Sequence, residues 1–170
     1  MRETFIIGPV YKEKKGVSEM EKVEQYRKAI AEMQERMNKV DGIIPRMATV
    51  AAVLKQTFDH FIWVGFYFAE DSEMIVGPYQ GLAACPNISY EGVCGAAMKR
   101  KNTVIVPNVH KFPGHIVCDP NSNSEITVPL FDPDKHLIGV LDIDSENYEA
   151  FDEVDKKYLE MIIPILFEKE

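Results

Sequence analysis

The sequence predicts an α+β fold, an antiparallel sheet with helices on one face, from three observations. The order of periodic segments is helix, helix, several strands, a long loop, a hairpin and a last helix. The strand-like runs cluster between helices instead of alternating with them, which favours antiparallel pairing. A chain of 170 residues with 46% apolar residues is long enough to bury a core without disulfide or metal staples.

The elements follow in order. Residues 1–16 mix Pro, Gly and Lys and read as an N-terminal arm. Ser18-Glu19-Met20-Glu21 is a capping box, and Val23, Tyr26, Ile30, Met33, Met37 and Val40 then recur at spacings of three and four. That stripe predicts a helix over 17–40, ended by Asp41-Gly42. Pro45 opens a second helix with Met47, Val50, Val53 and Leu54 facing inward. Phe61–Phe68 is rich in aromatic and β-branched residues and reads as a strand, as do Met74–Val76 and Val104–Val106. Gly92–Met98 looks like the tight entry to a short helix. The stretch 107–124, with three prolines, a glycine and two histidines, is a long loop of the kind that carries function. Ile126–Phe131 and His136–Asp144 form a hairpin across Asp132-Pro133-Asp134-Lys135. Asp152 caps the final helix, which Pro164 should kink or shorten. No repeat or linker divides the chain, so 1–170 reads as one domain.

Composition narrows the function. A net charge of −8 argues against nucleic acid, and Lys99-Arg100-Lys101 reads as a solvated helix end. No apolar run approaches a membrane span, and the first residues carry an acid where a secretory signal needs an apolar core. Three cysteines, an odd count, do not suggest a secreted disulfide framework, so a reducing cytoplasm is the default. Their spacing contains no metal-binding pair, and no hydrolase signature surrounds them.

Sorting each strand into faces exposes one that should be apolar and is not. Phe61, Trp63, Gly65 and Tyr67 share a face; so do Glu125, Thr127 and Pro129, and so do Ile138, Val140, Asp142 and Asp144. If the strands stack in the obvious register, Glu125, Asp142 and Asp144 converge beside Trp63 and Tyr67. Such a face either meets water or forms a pocket for an ammonium or sulfonium-like group. Of the thiols, Cys85 sits in a turn and reads equally as filler or working group. Cys94, between Gly92 and Gly95 at a helix start, could be a thiolate favoured by the helix dipole or a small packed residue. Cys118 lies in the long loop beside His115 and is the candidate nucleophile, with His110 or His115 as a conceivable base.

Several segments together resemble a known family. They are Trp63-Val64-Gly65-Phe66-Tyr67, Gly77-Pro78-Tyr79-Gln80-Gly81, Gly92-Val93-Cys94-Gly95, His110 through Asp119 with Phe112-Pro113-Gly114-His115-Ile116, Ser122–Ile126 and Gly139–Ser145. In this order they resemble the free methionine-(R)-sulfoxide reductases, a branch of the GAF-domain superfamily, over roughly residues 18–160. Pro86 and Pro164 are the departures.

The resemblance implies a GAF-like fold, a central antiparallel sheet flanked by helices, usually as a homodimer. It implies reduction of free methionine-(R)-sulfoxide with electrons from thioredoxin and no metal or organic cofactor. It places Cys118 as nucleophile, Cys85 as the favoured resolving thiol and Cys94 as second resolver or relay. Trp63, Tyr67, Glu125, Asp142 and Asp144 match the family's pocket. A sulfoxide oxygen needs protonation or a hydrogen bond before the sulfur is attacked, which a carboxyl with a raised pKa supplies. Glu125 and Asp144 are therefore expected at that oxygen, Asp142 at the α-ammonium, and Trp63 and Tyr67 around the S-methyl group. The rival reading is a GAF module that binds a ligand or senses redox state without turnover.

Overall fold

The computed structural model describes residues 18–168; the arm expected over 1–16 lies outside them. Helix α1 spans Glu19–Met37 behind the capping box: the Glu21 N–H donates to Ser18 Oγ at 3.3 Å and the Ser18 N–H to Glu21 Oε2 at 2.9 Å. Tyr26, Met33 and Met37 are buried on its inner stripe. The helix stops short of residue 40, and Arg46 takes up its end. The guanidinium donates to the carbonyls of Val40 at 2.9 Å, Met37 at 3.2 Å and Ile165 at 3.1 Å. Terminal helix carbonyls require such partners, and this donor comes from the next element. Helix α2, Ile43–Thr57, holds Pro45 in its first turn, where the missing N–H is not needed.

Six strands follow: β1 Phe61–Ala69, β2 Met74–Gln80, β3 Asn87–Ile88, β4 Val104–Val106, β5 Ser124–Phe131 and β6 Leu137–Ser145. They form one fully antiparallel sheet in the order β3-β2-β1-β6-β5-β4. Strand β2 runs through Pro78 to Gln80, further than its apolar run suggests, and its register with β1 shifts there, between Gly65 and Tyr67. A bulge relieves the sheet of the N–H that proline lacks. Strand β3 has two residues and no periodicity to betray it.

Helix α3, Gly92–Arg100, connects β3 to β4; helix α4, Glu153–Ile162, is capped by Asp152 and passes at Pro164 into a 3-10 turn over Ile163–Phe167. The main core lies between the sheet face of Val64, Phe66, Ile126, Val128, Leu141 and Ile143 and helices α1, α2 and α4. Lys22 ties α1 to the start of α4, with Nζ 2.7 Å from both Asp152 and the fully buried Asp155. Helix α3 packs on the opposite face, against Trp63, Tyr67 and Val140. The sheet is thus flanked on both sides, and the expectation of helices on one face is corrected. Its reason is composition: a helix as short and glycine-rich as α3 covers only part of a face and leaves the rest for a cavity. Phe61 is also corrected. A register shift between Phe61 and Trp63 turns Phe61 to the main core, where its ring packs 4.6 Å from that of Phe58. Among the described residues no helix is long and apolar enough to cross a membrane.

Candidate active site

Strand register brings the site together. In one row across the sheet, Trp63 of β1 faces Asp144 of β6, which faces Glu125 of β5; in the next row stand Gly65, Asp142 and Thr127. Tyr67 begins a third row with Val140 and Pro129. The three carboxylates therefore converge beside the two aromatics, the arrangement that strand alternation alone made conditional on register. Gly65 makes room for it, because a Cβ there would run into the Trp63 indole and the Tyr79 Cβ. The indole stacks on Tyr67 and Tyr79, with ring centroids 5.8 and 5.4 Å away.

These rows floor a cavity of about 50 Å³. Helix α3 closes one side with Gly92, Val93 and Cys94, and the segment Leu82–Ala84 closes another. Loop 107–123, which carries a 3-10 turn at Val109–Lys111, supplies His115, Ile116, Cys118, Asp119 and Ser122. The loop seats on α3 through two glycines with positive φ, Gly92 at +74° and Gly114 at +76°. A Cβ on Gly92 would lie 3.2 Å from the Gly114 carbonyl, a tight approach that would push the loop outward, and the positive φ itself disfavours a side chain there. At the mouth, Cys85 and Cys118 are joined in a disulfide with Cα atoms 5.6 Å apart. The Tyr67 hydroxyl donates to the Cys85 carbonyl at 3.2 Å and ties that mouth to the floor.

The electrostatics follow from burial. Glu125 and Asp144 are pushed well above the usual carboxylate range, first by desolvation and then by charge repulsion with Asp142. Asp142 is raised too by desolvation, but it accepts from Glu125, Thr127 and Cys94, which favour its charged form. Thr127 gives an independent argument. Its hydroxyl lies 3.1 Å from Glu125 Oε1 and 3.0 Å from Asp142 Oδ1, and one hydroxyl proton can serve only one of them. The other contact needs a proton on a carboxyl. Glu125, pushed further above the usual carboxylate range than Asp142, is the favoured carrier. His115, with Nε2 3.9 Å from Glu125 Oε2, is lowered by desolvation and by His110, which disfavours an imidazolium at this contact.

The same surroundings decide how Cys94 behaves. Its thiol is fully buried, 3.9 Å from both Glu125 Oε1 and Thr127 Oγ1. Desolvation, then the charges of Asp142 and Glu125, push it well above the ordinary thiol range. The thiolate that the start of α3 would favour is opposed by acids facing it from β5 and β6, and the packed, protonated reading prevails. His110 turns away to Asn123, at 2.9 Å. The sequence reading singles out His115 as a conceivable base but not Thr127 or Ser122 as site residues. Thr127 shares strand parity with Glu125, which is a legible signal; the loop residue Ser122 carries none. Two groups of described residues bring three potential ligand atoms within 4.8 Å, Cys94 with Glu125 and Asp142, and Asp132 with Asp134 and His136. The first group is the floor just described, and the second is a hairpin turn whose Asp132 is already engaged by His136.

Comparison with known proteins agrees with this architecture. Residues 40–164 match the GAF domain family model. A GAF domain-containing protein A of Dictyostelium discoideum is 42% identical over 152 residues, covering 88% of this chain and 95% of that protein. The free methionine-R-sulfoxide reductase of Escherichia coli is 37% identical over 145 residues, covering 85% of this chain and 87% of its own length. The X-ray structure of free methionine-R-sulfoxide reductase from Neisseria meningitidis in complex with its substrate superposes with a TM-score of 0.82 at 40% identity, covering 88% of this chain and 90% of that one. The chain belongs to the GAF-domain family, in its free methionine-R-sulfoxide reductase branch.

Proposed function

We propose that this chain reduces free methionine-(R)-sulfoxide to methionine, with Cys118 as nucleophile and Cys85 as resolving thiol. The Cys118 thiolate attacks the sulfoxide sulfur while a carboxyl, Glu125 or Asp144, protonates the oxygen. With a second proton from the other carboxyl the S–O bond breaks and the oxygen leaves as water, so that Cys118 Sγ is bonded to a substrate sulfonium. Water then attacks Sγ, that S–S bond breaks, methionine leaves, and Cys118 is left as a sulfenic acid. The Cys85 thiol then attacks the Cys118 sulfur, releasing water and forming the disulfide. An external dithiol takes up the oxidation and restores both thiols. Asp142 receives the α-ammonium, and Trp63 and Tyr67 enclose the S-methyl group. One observation carries the reading: Cys85 and Cys118 are joined at the mouth of a cavity whose floor holds buried, clustered carboxyls and stacked aromatics.

Cys94 has a lesser part, as a protonated thiol beneath the substrate. Thioredoxin as reductant, a homodimer as working unit and the cytoplasm as compartment complete the proposal; the family resemblance supports the first two, and cysteine usage the third.

The test is incubation with racemic free methionine sulfoxide and dithiothreitol, followed by separation of the diastereomers. Loss of the R form alone is expected, and Cys118→Ser abolishes it. Persistence of both forms would exclude the reductase and favour a binding or redox-sensing module.

A further inference from the structure

We infer that Ser122 is a substrate-binding residue whose hydroxyl donates to the sulfoxide oxygen and so distinguishes substrate from product; the inference rests on the proposed reductase reading. Ser122 is 3% exposed, and its Oγ lies beside the Asp144 carboxyl without making a hydrogen bond of good geometry to it or to any other described residue. Buried hydroxyls without partners are costly and uncommon. The neighbouring serines meet the ordinary standard: Ser124 Oγ donates to the Asn147 carbonyl at 2.6 Å, and Ser145 Oγ accepts from the Asn147 N–H at 3.2 Å.

The position of Ser122 is built, and it borders the chemistry. Its N–H donates to the Asp119 carbonyl at 3.2 Å, closing a turn that begins next to Cys118. The following residue, Asn123, anchors the turn to the end of β6, with its N–H on the Ser145 carbonyl at 2.8 Å and its Nδ2 on the Glu146 carbonyl at 2.7 Å. The hydroxyl is thus held on a short strut between the nucleophile's loop and the strand bearing Asp144, and it lines the same cavity.

The substrate offers two kinds of acceptor, the sulfoxide oxygen and the α-carboxylate. Attack by Cys118 requires the sulfur beside that thiol. The oxygen is bonded to the same sulfur, so it must lie within reach of polar groups that line the cavity together with Cys118, among them Ser122, Asp144 and Glu125. The α-carboxylate lies three carbons further along the molecule. Methionine has no oxygen on sulfur, so the contact exists with substrate and is lost with product. A donor satisfied only by substrate favours release of methionine after turnover.

Calorimetry on the Cys118→Ser chain, with and without Ser122→Ala, separates this role from a structural one. Removing the hydroxyl is expected to weaken methionine-(R)-sulfoxide binding about tenfold and to leave methionine binding within about twofold. Because the hydroxyl makes no hydrogen bond of good geometry in the ligand-free chain, Ser122→Ala should also melt no lower than its parent. Equal weakening of both ligands, or no weakening of the sulfoxide, overturns the inference. Turnover of the wild-type chain is scored separately and decides the reductase reading, since the ratio of the two affinities is read without turnover.

Discussion

The Tyr67 hydroxyl donates to the carbonyl of Cys85 across 3.2 Å, so one aromatic side chain belongs both to the cavity wall and to the disulfide's support. Burial pushes this phenol far above its ordinary range, which keeps it a donor at any physiological pH. Tyr67→Phe retains the ring and removes the tether. Disulfide formation after a single turnover, followed by quenched-flow thiol alkylation, should slow about fivefold, the worth of one hydrogen bond. An unchanged rate would show that the backbone alone positions Cys85.

The two thiols near Cys118 should separate cleanly. Cys94→Ser leaves a small polar group under the same carboxylates, and turnover with dithiothreitol is expected to stay within about threefold, less than one hydrogen bond's worth. Cys85→Ser removes the partner that stands in bonding contact with Cys118. In that variant the sulfenic acid should accumulate and be trapped by dimedone, as seen by mass spectrometry. A Cys94–Cys118 disulfide in its place would assign Cys94 the resolving role.

Asp144 faces both Trp63 and Glu125 across the sheet, and desolvation pushes its carboxyl well above the usual range. Asp144→Asn preserves shape and removes the transferable proton. The catalytic rate should fall about a hundredfold, the usual contribution of a positioned acid. A rate within experimental error of wild type would return this face to a passive wall.

The carboxylate cluster also predicts how stability varies with pH. Glu125 is raised in the folded state, chiefly by desolvation, so the native protein binds its proton more tightly than the unfolded chain does. The associated stability is complete below the unfolded carboxylate range, about pH 4, and is lost as pH rises toward the folded value. Glu125→Gln removes this titration. Its melting temperature should exceed that of wild type by about 2–4 °C at pH 8 and approach it near pH 4. A gap that is the same at both pH values would contradict the proposed protonation.

Gly65→Ala tests the packing beneath the aromatics. The added Cβ meets the Trp63 indole and the Tyr79 Cβ. Overpacking of this kind costs about 1–3 kcal/mol, measurable by denaturant unfolding. Since Trp63 is the single tryptophan of the chain, its fluorescence reports the displacement directly.

Much of this architecture is legible without coordinates, because its signals are local. The capping boxes at Ser18 and Asp152, the Pro45 turn and the hairpin at Asp132–Lys135 each depend on residues a few positions apart. The i, i+2 placement of Asp142 and Asp144 is equally local, because alternation puts both on one face whatever the strand pairs with. Motif resemblance adds the family and its fold. What reading along the chain missed depends on partners distant in sequence. Arg46 ends α1 from the following helix, a register shift against β6 turns Phe61 to the opposite face, and α3 finds the uncovered side of the sheet. Convergence of Glu125 with the aspartates required the β5–β6 register, and the Cys85–Cys118 bond joins segments 33 residues apart. Protonation states came last. The start of α3 would by itself favour a Cys94 thiolate, yet desolvation and charge repulsion are properties of the assembled cavity, and they push that thiol and Glu125 well above their ordinary ranges.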